Sequence, residues 1–337
     1  MGIFCSIDWQ IHKSDPSSYP MFRDLVNQSD CSDGFELDLK TVADLTRNYD
    51  DENADSQDQD PVHTMEPAGF VFHESRCGST LVANSLIAMN PKAHRVYSES
   101  PPPVSAARAC GLDGVDCPPG RAAELLRDAI YLMGRTDDPQ EENLFFKIQS
   151  IGSKYISIFN EAFPDTPWIY VYRDPVQVLM SQLAQGPNRA NCVHQLKDVP
   201  HKKIMQLKED DISIDHLKPV QKCALHLSLL CESALEGIFE SNNMGRSVNY
   251  ENIVHKLADH IIPDHFKVDV PSEAREQIFE VGSRYSKGRG NKGKEWTEDS
   301  EKKDKNATPQ IKEAANYFLE DSYHQLELES DNGDAYY

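Results

Sequence analysis

Short apolar runs alternate with segments of helical spacing through the central part of the chain. Apolar, aromatic and β-branched residues form four runs that predict buried strands, at 69–72, 144–148, 168–172 and 247–250. Apolar residues recur at helical spacing at 81–89, 121–133, 155–163, 176–183 and 222–239. Strands that alternate with helices predict an α/β fold, in which a parallel β-sheet is flanked by helices on both faces.

The two ends of the chain differ from this central pattern. Residues 48–60 are acidic and nearly devoid of apolar side chains, which predicts a mobile loop or linker. Helical spacing at 19–30 and 37–49 predicts helices that pack onto the main domain. We therefore divide the chain into an N-terminal helical extension with an acidic linker (1–60), a main domain (61–325) and a frayed acidic tail (326–337).

The charge balance is strongly acidic. Lys and Arg together number 34 and Asp and Glu 55, which gives a formal net charge of −21. Because a nucleic-acid binder needs a basic surface, we expect no nucleic-acid partner. An anionic ligand is compatible with this charge only where local cations and backbone N–H groups overcome the background field.

The sequence also bears on location. No run of about 18 apolar residues is present, which predicts that no segment spans a membrane. The eight cysteines are scattered without a CxxC pair, which predicts reduced, mostly structural thiols and a cytoplasmic protein. The first residues, MGIFCS, match the loose myristoylation pattern at Gly2, so N-terminal lipidation is a minor alternative.

The stretch FVFHESRCGSTLVANSL predicts a strand, a tight turn and the start of a helix. The first N–H groups of a helix lack intrahelical partners, and here Gly78, Ser79 and Thr80 would bring them close to an anion. Arg76 adds a fixed positive charge. The metal-dependent loop GxxxxGK[ST] is absent, so the turn suits a phosphate or sulfate without a metal. An ordinary strand-to-helix turn is equally compatible with this stretch alone.

A second strand end repeats the pattern. Arg173 follows the run at 168–172, Asp174 is a candidate N-cap, Pro175 a candidate first helical residue, and Ser181 lies in the helix. Ligands of open α/β sheets bind outside the carboxyl ends of the strands. Two strand ends that each carry an Arg could therefore hold two anionic groups of one ligand. A local ion pair between Arg173 and Asp174 is the alternative.

These stretches together resemble the sulfotransferases that use 3′-phosphoadenosine 5′-phosphosulfate (PAPS). SRCGSTLVANSL resembles the 5′-phosphosulfate loop of that family, and FPDTPWIYVYRDPVQVLMSQL resembles its 3′-phosphate segment. SVNYENIV resembles the strand and turn that contact the adenine, and YSKGRGNKGKEWTEDSE resembles the late Gly-rich loop. The motifs occur in the family's order over about residues 67–300. The resemblance implies a P-loop sulfotransferase fold, which is related to nucleotide kinases.

The resemblance also implies roles for particular residues. Arg76 would steady the transferring group and the leaving phosphate, and the late loop departs from the family because Ser286 stands where an Arg is usual. The other implied ligands are Cys77, Gly78, Ser79 and Thr80 for the 5′-phosphosulfate, Arg173 and Ser181 for the 3′-phosphate, Tyr250 for the adenine, and Lys287, Gly288 and Arg289 for the closing loop.

The acceptor of the sulfuryl group needs a general base. Gln149 stands where one branch of the family has a His, and Gln149 cannot take a proton. Glu99 ends another possible strand before a triple-Pro turn, and it is our candidate base; a solvated surface Glu is the alternative. Lys147 is a candidate to contact the sulfuryl oxygens or the cofactor, and a snorkelling Lys at a strand end is its alternative.

The sequence therefore favours a PAPS-dependent sulfotransferase that acts on a hydroxyl or amine of a small-molecule acceptor. A catalytically silent relative that binds a nucleotide or a partner is the second hypothesis, because Gln149 and Ser286 depart from the pattern. A P-loop kinase is the third, although the GK[ST] motif is absent. His73 and Glu74 precede the loop without the spacing of paired metal ligands, and we predict no metal.

Overall fold

The computed structural model describes residues 1–5, 7–27, 34–53, 62–111, 117–196, 199–284, 286–287, 295 and 299–334, with side chains up to residue 330. The strands in these ranges are β1 Gly2–Phe4, β2 Phe35–Leu37, β3 His63–Thr64, β4 Pro67–His73, β5 His94–Ser98, β6 Arg135–Thr136, β7 Asn143–Lys147, β8 Trp168–Tyr172 and β9 Gly245–Asn249. The α-helices are α1 Trp9–Ser14, α2 Phe22–Val26, α3 Leu39–Asn53, α4 Ser79–Met89, α5 Pro101–Ala107, α6 Arg121–Met133, α7 Ile156–Ala162, α8 Pro175–Gln182, α9 His201–Glu209, α10 Pro219–Glu240, α11 Ile253–Lys256, α12 Ser272–Gly282, α13 Ser300–Asn306 and α14 Pro309–Asp334.

The main sheet has five parallel strands in the order β5-β7-β4-β8-β9. In its centre Val71 of β4 lies between Lys147 of β7 and Ile169 of β8. The predicted α/β fold, a parallel sheet flanked by helices, is confirmed. The possible strand before Glu99 is confirmed as β5, at one edge of the sheet. Because the strands are parallel, their carboxyl ends all lie at the same end of the sheet. The candidate residues directly follow these strand ends.

Helices cover both faces of the sheet. Along β4, Phe70 and Phe72 pack into one apolar cluster, and Val71 between them packs into the other. Trp168 and Ile169 divide in the same way at the start of β8. This alternation on two buried faces explains why the strands read as continuous apolar runs in the sequence.

The N-terminal helices pack onto the main domain, as predicted. Met21 and Leu25 are buried, and the Trp9 and Tyr97 rings pack nearly perpendicular to each other with centroids 4.7 Å apart. Lys13 Nζ donates to Glu141 at 2.6 Å, and the side chains of this ion pair are 5% and 2% exposed. The extension therefore supplies one partner of a buried carboxylate.

Part of the acidic stretch predicted as a loop is helical. Helix α3 continues to Asn53, and Asp50 accepts hydrogen bonds from Tyr131 and, at 2.6 Å, from Arg135 of β6. The loop prediction is wrong for 48–53 because Asp50 has phenolic and cationic partners far along the chain that the local sequence does not show. Residues 54–60 of this stretch lie outside the described ranges.

Two further expectations are corrected. The triple-Pro stretch opens helix α5 at Pro101 rather than forming a turn, since proline fits the first helical turn, where an N–H has no intrahelical partner. Helix α14 extends to Asp334, well into the segment expected to fray from residue 326, and residues 335–337 lie outside the described ranges. Leu326 is fully buried there, and Ser247 Oγ of β9 donates to the Leu326 carbonyl at 2.7 Å.

The cysteines differ from the expectation of reduced thiols. Cys110 bonds Cys117 and Cys192 bonds Cys223, whereas Cys77 and Cys231 are free and buried. Cys192 and Cys223 are 31 residues apart in the sequence, so no CxxC motif could indicate their disulfide bond. Among the residues that the structure describes, no helix has the length and apolar character needed to cross a membrane.

Candidate functional site

The loop after β4 is a strand-to-helix turn with an unusual backbone. Ser75, Arg76 and Gly78 have φ angles of 72°, 61° and 90°, and Gly78 is the N-cap of α4. Two non-glycine residues in the left-handed region carry strain of about 1–3 kcal/mol each, which persists where the surroundings enforce it and is common at ligand sites. Ser79 and Thr80 are the first residues of α4, so their N–H groups face the turn.

The side chain of Tyr250 joins this loop to the end of β8. A Cβ atom at Gly78 would lie 2.2 Å from the Tyr250 ring, so the ring rests directly on the glycine backbone. The Arg173 guanidinium lies over the same ring, 4.6 Å from its centroid. The three residues predicted to contact the 5′-phosphosulfate, the adenine and the 3′-phosphate therefore form one contiguous surface.

Arg173 is held by its own neighbours and by the start of α13. Its Nε donates to Gln177 at 2.8 Å, which fixes the guanidinium over the first turn of α8. Its Nη2 donates to Ser300 Oγ at 2.7 Å and lies 3.4 Å from an Asp299 carboxylate oxygen. Asp174 caps α8 by accepting from the Gln177 N–H at 2.9 Å, as predicted.

Arg76 reaches toward the helix that follows Arg173. Its exposed side chain donates from Nε to Ser181 Oγ at 3.2 Å. Cys77 is fully buried and its Sγ donates to the Val171 carbonyl at 3.0 Å, so only its backbone can serve a ligand. Burial raises the pKa of the Cys77 thiol to about 12, which makes it inert at neutral pH.

A cavity of 630 Å³ opens beside this surface. Arg173, Gln177, Tyr250, Asn252 and Ser300 are among its lining residues. Its volume falls in the range of sites for small molecules and cofactors. Because Arg173 and Tyr250 belong to both the cavity wall and the loop surface, the two are continuous.

Glu99 lies on the side of the Arg76 loop that faces away from this cavity. It follows β5 with a φ of 60°, and its N–H donates to the Lys147 carbonyl at 2.7 Å. The Lys147 ammonium, which is fully buried, donates to Glu99 Oε1. Burial raises the pKa of Glu99, but the charge of Lys147 and the proximity of His73 lower it to about 2. The carboxyl is therefore ionised at neutral pH.

His73, which the sequence did not single out for this site, lies against Glu99. Its Nδ1 accepts the Ser75 N–H at 2.9 Å, which leaves the proton of the neutral ring on Nε2. That Nε2 lies 3.6 Å from Glu99 Oε1. Burial and then the charge of Lys147 hold the pKa of His73 well below its usual range, so the ring is neutral.

Glu74 is the second residue to which the sequence motifs assign no role in this site. Its carboxyl is buried beneath the loop, and Oε1 accepts the backbone N–H of Arg173 at 2.7 Å. Burial raises the pKa of Glu74 to about 8. A more general sequence signal could have found His73 and Glu74. They are adjacent titratable residues at the carboxyl end of a central buried strand, where the ligand sites of parallel sheets form.

The late loop is described at Ser286 and Lys287, whereas Gly288 and Arg289 lie outside the described residues. Asn84 of α4 donates to the Ser286 carbonyl at 2.9 Å, which anchors the loop beside α4. The charge of Lys287 contributes to the low pKa values of Glu99 and His73. Lys287 therefore lies on the Glu99 side of the site. Across the described ranges, no group of three His, Cys, Asp or Glu side chains could hold a metal ion.

The arrangement brings two chemical capacities together. One surface offers backbone N–H groups and two guanidinium groups to anionic oxygens, and an ionised carboxylate with a buried ammonium lies at its border. Such a site can bind a doubly anionic ligand and accept a proton beside one of its ends.

Solved structures similar to this chain include two sulfotransferase domains of low sequence identity. The sulfotransferase domain from the curacin biosynthetic pathway is 12% identical, with a TM-score of 0.43 over 75% of this chain and 98% of that domain. The sulfotransferase domain of the Synechococcus PCC 7002 olefin synthase is 15% identical, with a TM-score of 0.38 over 81% of this chain and 98% of that domain. No family model matches the chain, and no curated protein matches it.

Proposed function

We propose that this protein is a sulfotransferase that moves a sulfuryl group from PAPS to a hydroxyl or amine of a small-molecule acceptor. One observation carries the proposal: the Tyr250 ring joins the Arg76 loop to Arg173, so two cationic strand ends form one anion-binding surface. The ordered sequence motifs point to the same ligand.

The residues fit a ligand with two separated anionic groups. The Asp299 carboxylate and the Ser300 hydroxyl lie against the Arg173 guanidinium, which supports a role for Arg173 in binding oxygen ligands. The turn at Gly78 begins α4, and the first N–H groups of a helix have no intrahelical partner. Arg173 would hold the 3′-phosphate, and Arg76 with the N–H groups of 77–80 would hold the 5′-phosphosulfate. The hydrogen bond from Arg76 would keep Ser181 beside the 3′-phosphate and the 5′-phosphosulfate.

Bound PAPS would supply the sulfuryl group and a phosphate leaving group. The chain's own contribution is to position these groups and to neutralise charge that develops during transfer, as in phosphoryl transfer. Arg76 is suited to this role because its side chain is exposed at the loop. Lys147 is suited to it because its ammonium is desolvated at the end of β7, where electrostatic interactions are strong.

Glu99 remains our candidate general base. Paired with Lys147 it has a pKa of about 2, which is low for a base at neutral pH. An anionic group of the ligand near Lys147 would compete with Glu99 for the ammonium. The weaker ion pair between Glu99 and Lys147 would raise the pKa of Glu99. Glu99 would then receive the proton of the acceptor as the sulfuryl group arrives.

The same ion pair favours a second candidate, a catalytically silent relative that binds the nucleotide alone. Glu99 and Lys147 neutralise each other, and Gln149 offers no alternative base on the neighbouring strand end. Binding and turnover separate the two candidates. We expect calorimetry to show binding of 3′-phosphoadenosine 5′-phosphate (PAP) and labelled PAPS to transfer sulfate to members of a broad acceptor panel. Binding without transfer would favour the silent relative, and failure to bind PAP would overturn both.

The disulfides bear on the proposed location. Bonds such as Cys110–Cys117 and Cys192–Cys223 persist in oxidising compartments and are rare in the cytosol. We therefore propose an oxidising compartment in place of the cytoplasmic location expected from the sequence. Thiol labelling of the protein from its native source, unfolded without reductant, should modify Cys77 and Cys231 and spare Cys110, Cys117, Cys192 and Cys223. Labelling of all of them would restore the cytoplasmic expectation.

A further inference from the structure

Glu74 lies between the two arms of the proposed anion site, which are the Arg76 loop after β4 and Arg173 after β8. It directly follows β4, and its carboxyl, in a residue 3% exposed, crosses to the neighbouring strand. Oε1 accepts the N–H of Arg173 at 2.7 Å, and Oε2 lies 3.8 Å from Cys231 Sγ of α10. One buried side chain therefore ties the start of the Arg76 loop to the backbone of Arg173 and to the helix below.

We propose that Glu74 is a positioning residue of the anion site, whose carboxyl sets the spacing between the Arg76 loop and Arg173. The inference rests on the proposed function only in taking PAP as the ligand that spans both arms. Glu74 itself does not contact the ligand in this proposal. It acts through its hydrogen bond with the Arg173 N–H and through the conformation of the loop, which begins at Glu74.

The proton of Glu74 is part of the proposal. The groups that face its carboxyl directly are Arg173 and Asp174, which follow β8, and Cys231 of α10. Tyr170 and Cys77 lie next to Cys231 and complete this buried cluster. Burial raises the pKa of Glu74 to about 8, the hydrogen bond from Arg173 opposes this, and the charge of Asp174 adds to it. At neutral pH the acid is therefore mostly uncharged.

A neutral acid suits a residue buried beneath an anion site. Its carbonyl oxygen accepts the N–H of Arg173, and no negative charge opposes the ligand's phosphates. When the pH rises above 8, the carboxyl ionises with little solvent to screen it. The new charge lies under both arms, so ligand binding should weaken in alkaline solution.

Calorimetric titration with PAP across pH tests the proposal in three proteins. In the wild type, the dissociation constant should rise about tenfold between about pH 7 and about pH 9.5. Glu74→Gln keeps an oxygen for Arg173 and cannot ionise, so it should bind within about threefold of the wild type at about pH 7 and lack most of the alkaline rise. Glu74→Ala should bind at least about tenfold more weakly at about pH 7.

The outcomes separate the possible failures. A wild type that does not bind PAP overturns the proposed function. A wild type that binds PAP, together with a Glu74→Ala variant of equal affinity, overturns the positioning role alone. A Glu74→Gln variant that keeps the full alkaline rise overturns the role of the proton. Since Glu74→Ala is at risk of misfolding, Glu74→Gln keeps the proposal testable, and Glu142→Gln, an exposed carboxylate outside the site, is the matched control.

Discussion

Arg76 and Ser181 are 105 residues apart in the sequence, yet Arg76 Nε donates to Ser181 Oγ at 3.2 Å. The bond links the turn after β4 with the helix after β8. It exists because these strands are neighbours in a parallel sheet, so the segments that follow them leave at the same edge. Two motifs that the sequence presents separately are thereby parts of one site.

Arg173→Ala should weaken PAP binding by about 10- to 100-fold, since it removes a charge-assisted contact in a largely buried position. The residue is 8% exposed, and its backbone bond to Glu74 survives the substitution. Calorimetry with PAP measures the loss, with Arg121→Ala, at a partly exposed residue of α6, as the control for removal of one cation. Equal affinity in the Arg173 and Arg121 variants would contradict this assignment.

Glu99→Gln should lower the turnover number by about 10²- to 10⁴-fold and leave PAP affinity nearly unchanged. The amide keeps the shape of the carboxyl next to Lys147 but cannot accept a proton from the acceptor. Steady-state rates with labelled PAPS give the first value and calorimetry the second, and the exposed Glu124→Gln serves as the control. Unchanged turnover in Glu99→Gln would remove its role as the base.

Asp299→Asn should tighten PAP binding by roughly two- to fivefold, since a carboxylate of the chain competes for the Arg173 guanidinium. The gain is small because the Asp299 side chain is 48% exposed and the pair is screened. Glu301→Gln removes an equal charge from the same helix, where the carboxylate pairs with Lys305, and should not change affinity. Identical shifts in both variants would mean that net charge alone is responsible.

Gly78→Ala should weaken PAP binding by more than about tenfold, because its methyl group would displace the Tyr250 ring. Gly186 provides a matched control, since its φ is also positive, at 96°, and no atom lies within 4 Å of the added Cβ. Comparing the two alanine variants by calorimetry separates crowding against the ring from the backbone strain that both share. Equal effects on PAP binding would rule out crowding as the cause.

Glu74→Gln should raise stability most at alkaline pH. The unfolded carboxyl titrates near 4.5 and the folded one near 8, so only the unfolded wild type releases this proton as the pH rises between these values. Wild-type stability therefore falls through that window, by on the order of a few kcal/mol, and the variant lacks this contribution. Thermal unfolding at about pH 5 and about pH 8.5 measures the difference between the proteins. A difference that does not change with pH would contradict the raised pKa.

Much of the sheet and part of the site could be predicted from the sequence. The strand that carries Phe70 and Phe72 is buried on both faces, so its apolar run is unbroken and easily found. Asp174 and Pro175 mark the start of α8 through local backbone chemistry, which needs no tertiary partner. Arg76 and Arg173 follow directly from their positions after such strands.

The features that were missed depend on contacts between distant segments. The importance of Glu74 lies in its burial and in its bond to Arg173, neither of which its neighbours in sequence encode. Cys192 and Cys223 meet only because α10 packs under the loop that carries Cys192. The acidic end of α14 is helical because Leu326 is buried against the sheet, a contact that its local charge pattern conceals.

The ion pair between Lys13 and Glu141 has a practical consequence for anyone who shortens this protein. Glu141 is 2% exposed and also binds Arg95 of the edge strand, so deleting the first sixty residues would take one cation from a carboxylate that water does not reach. The same deletion would uncover the Tyr97 ring that Trp9 covers. A truncated polypeptide beginning at the predicted domain boundary would therefore be prone to aggregate, and expression trials should retain the N-terminal segment.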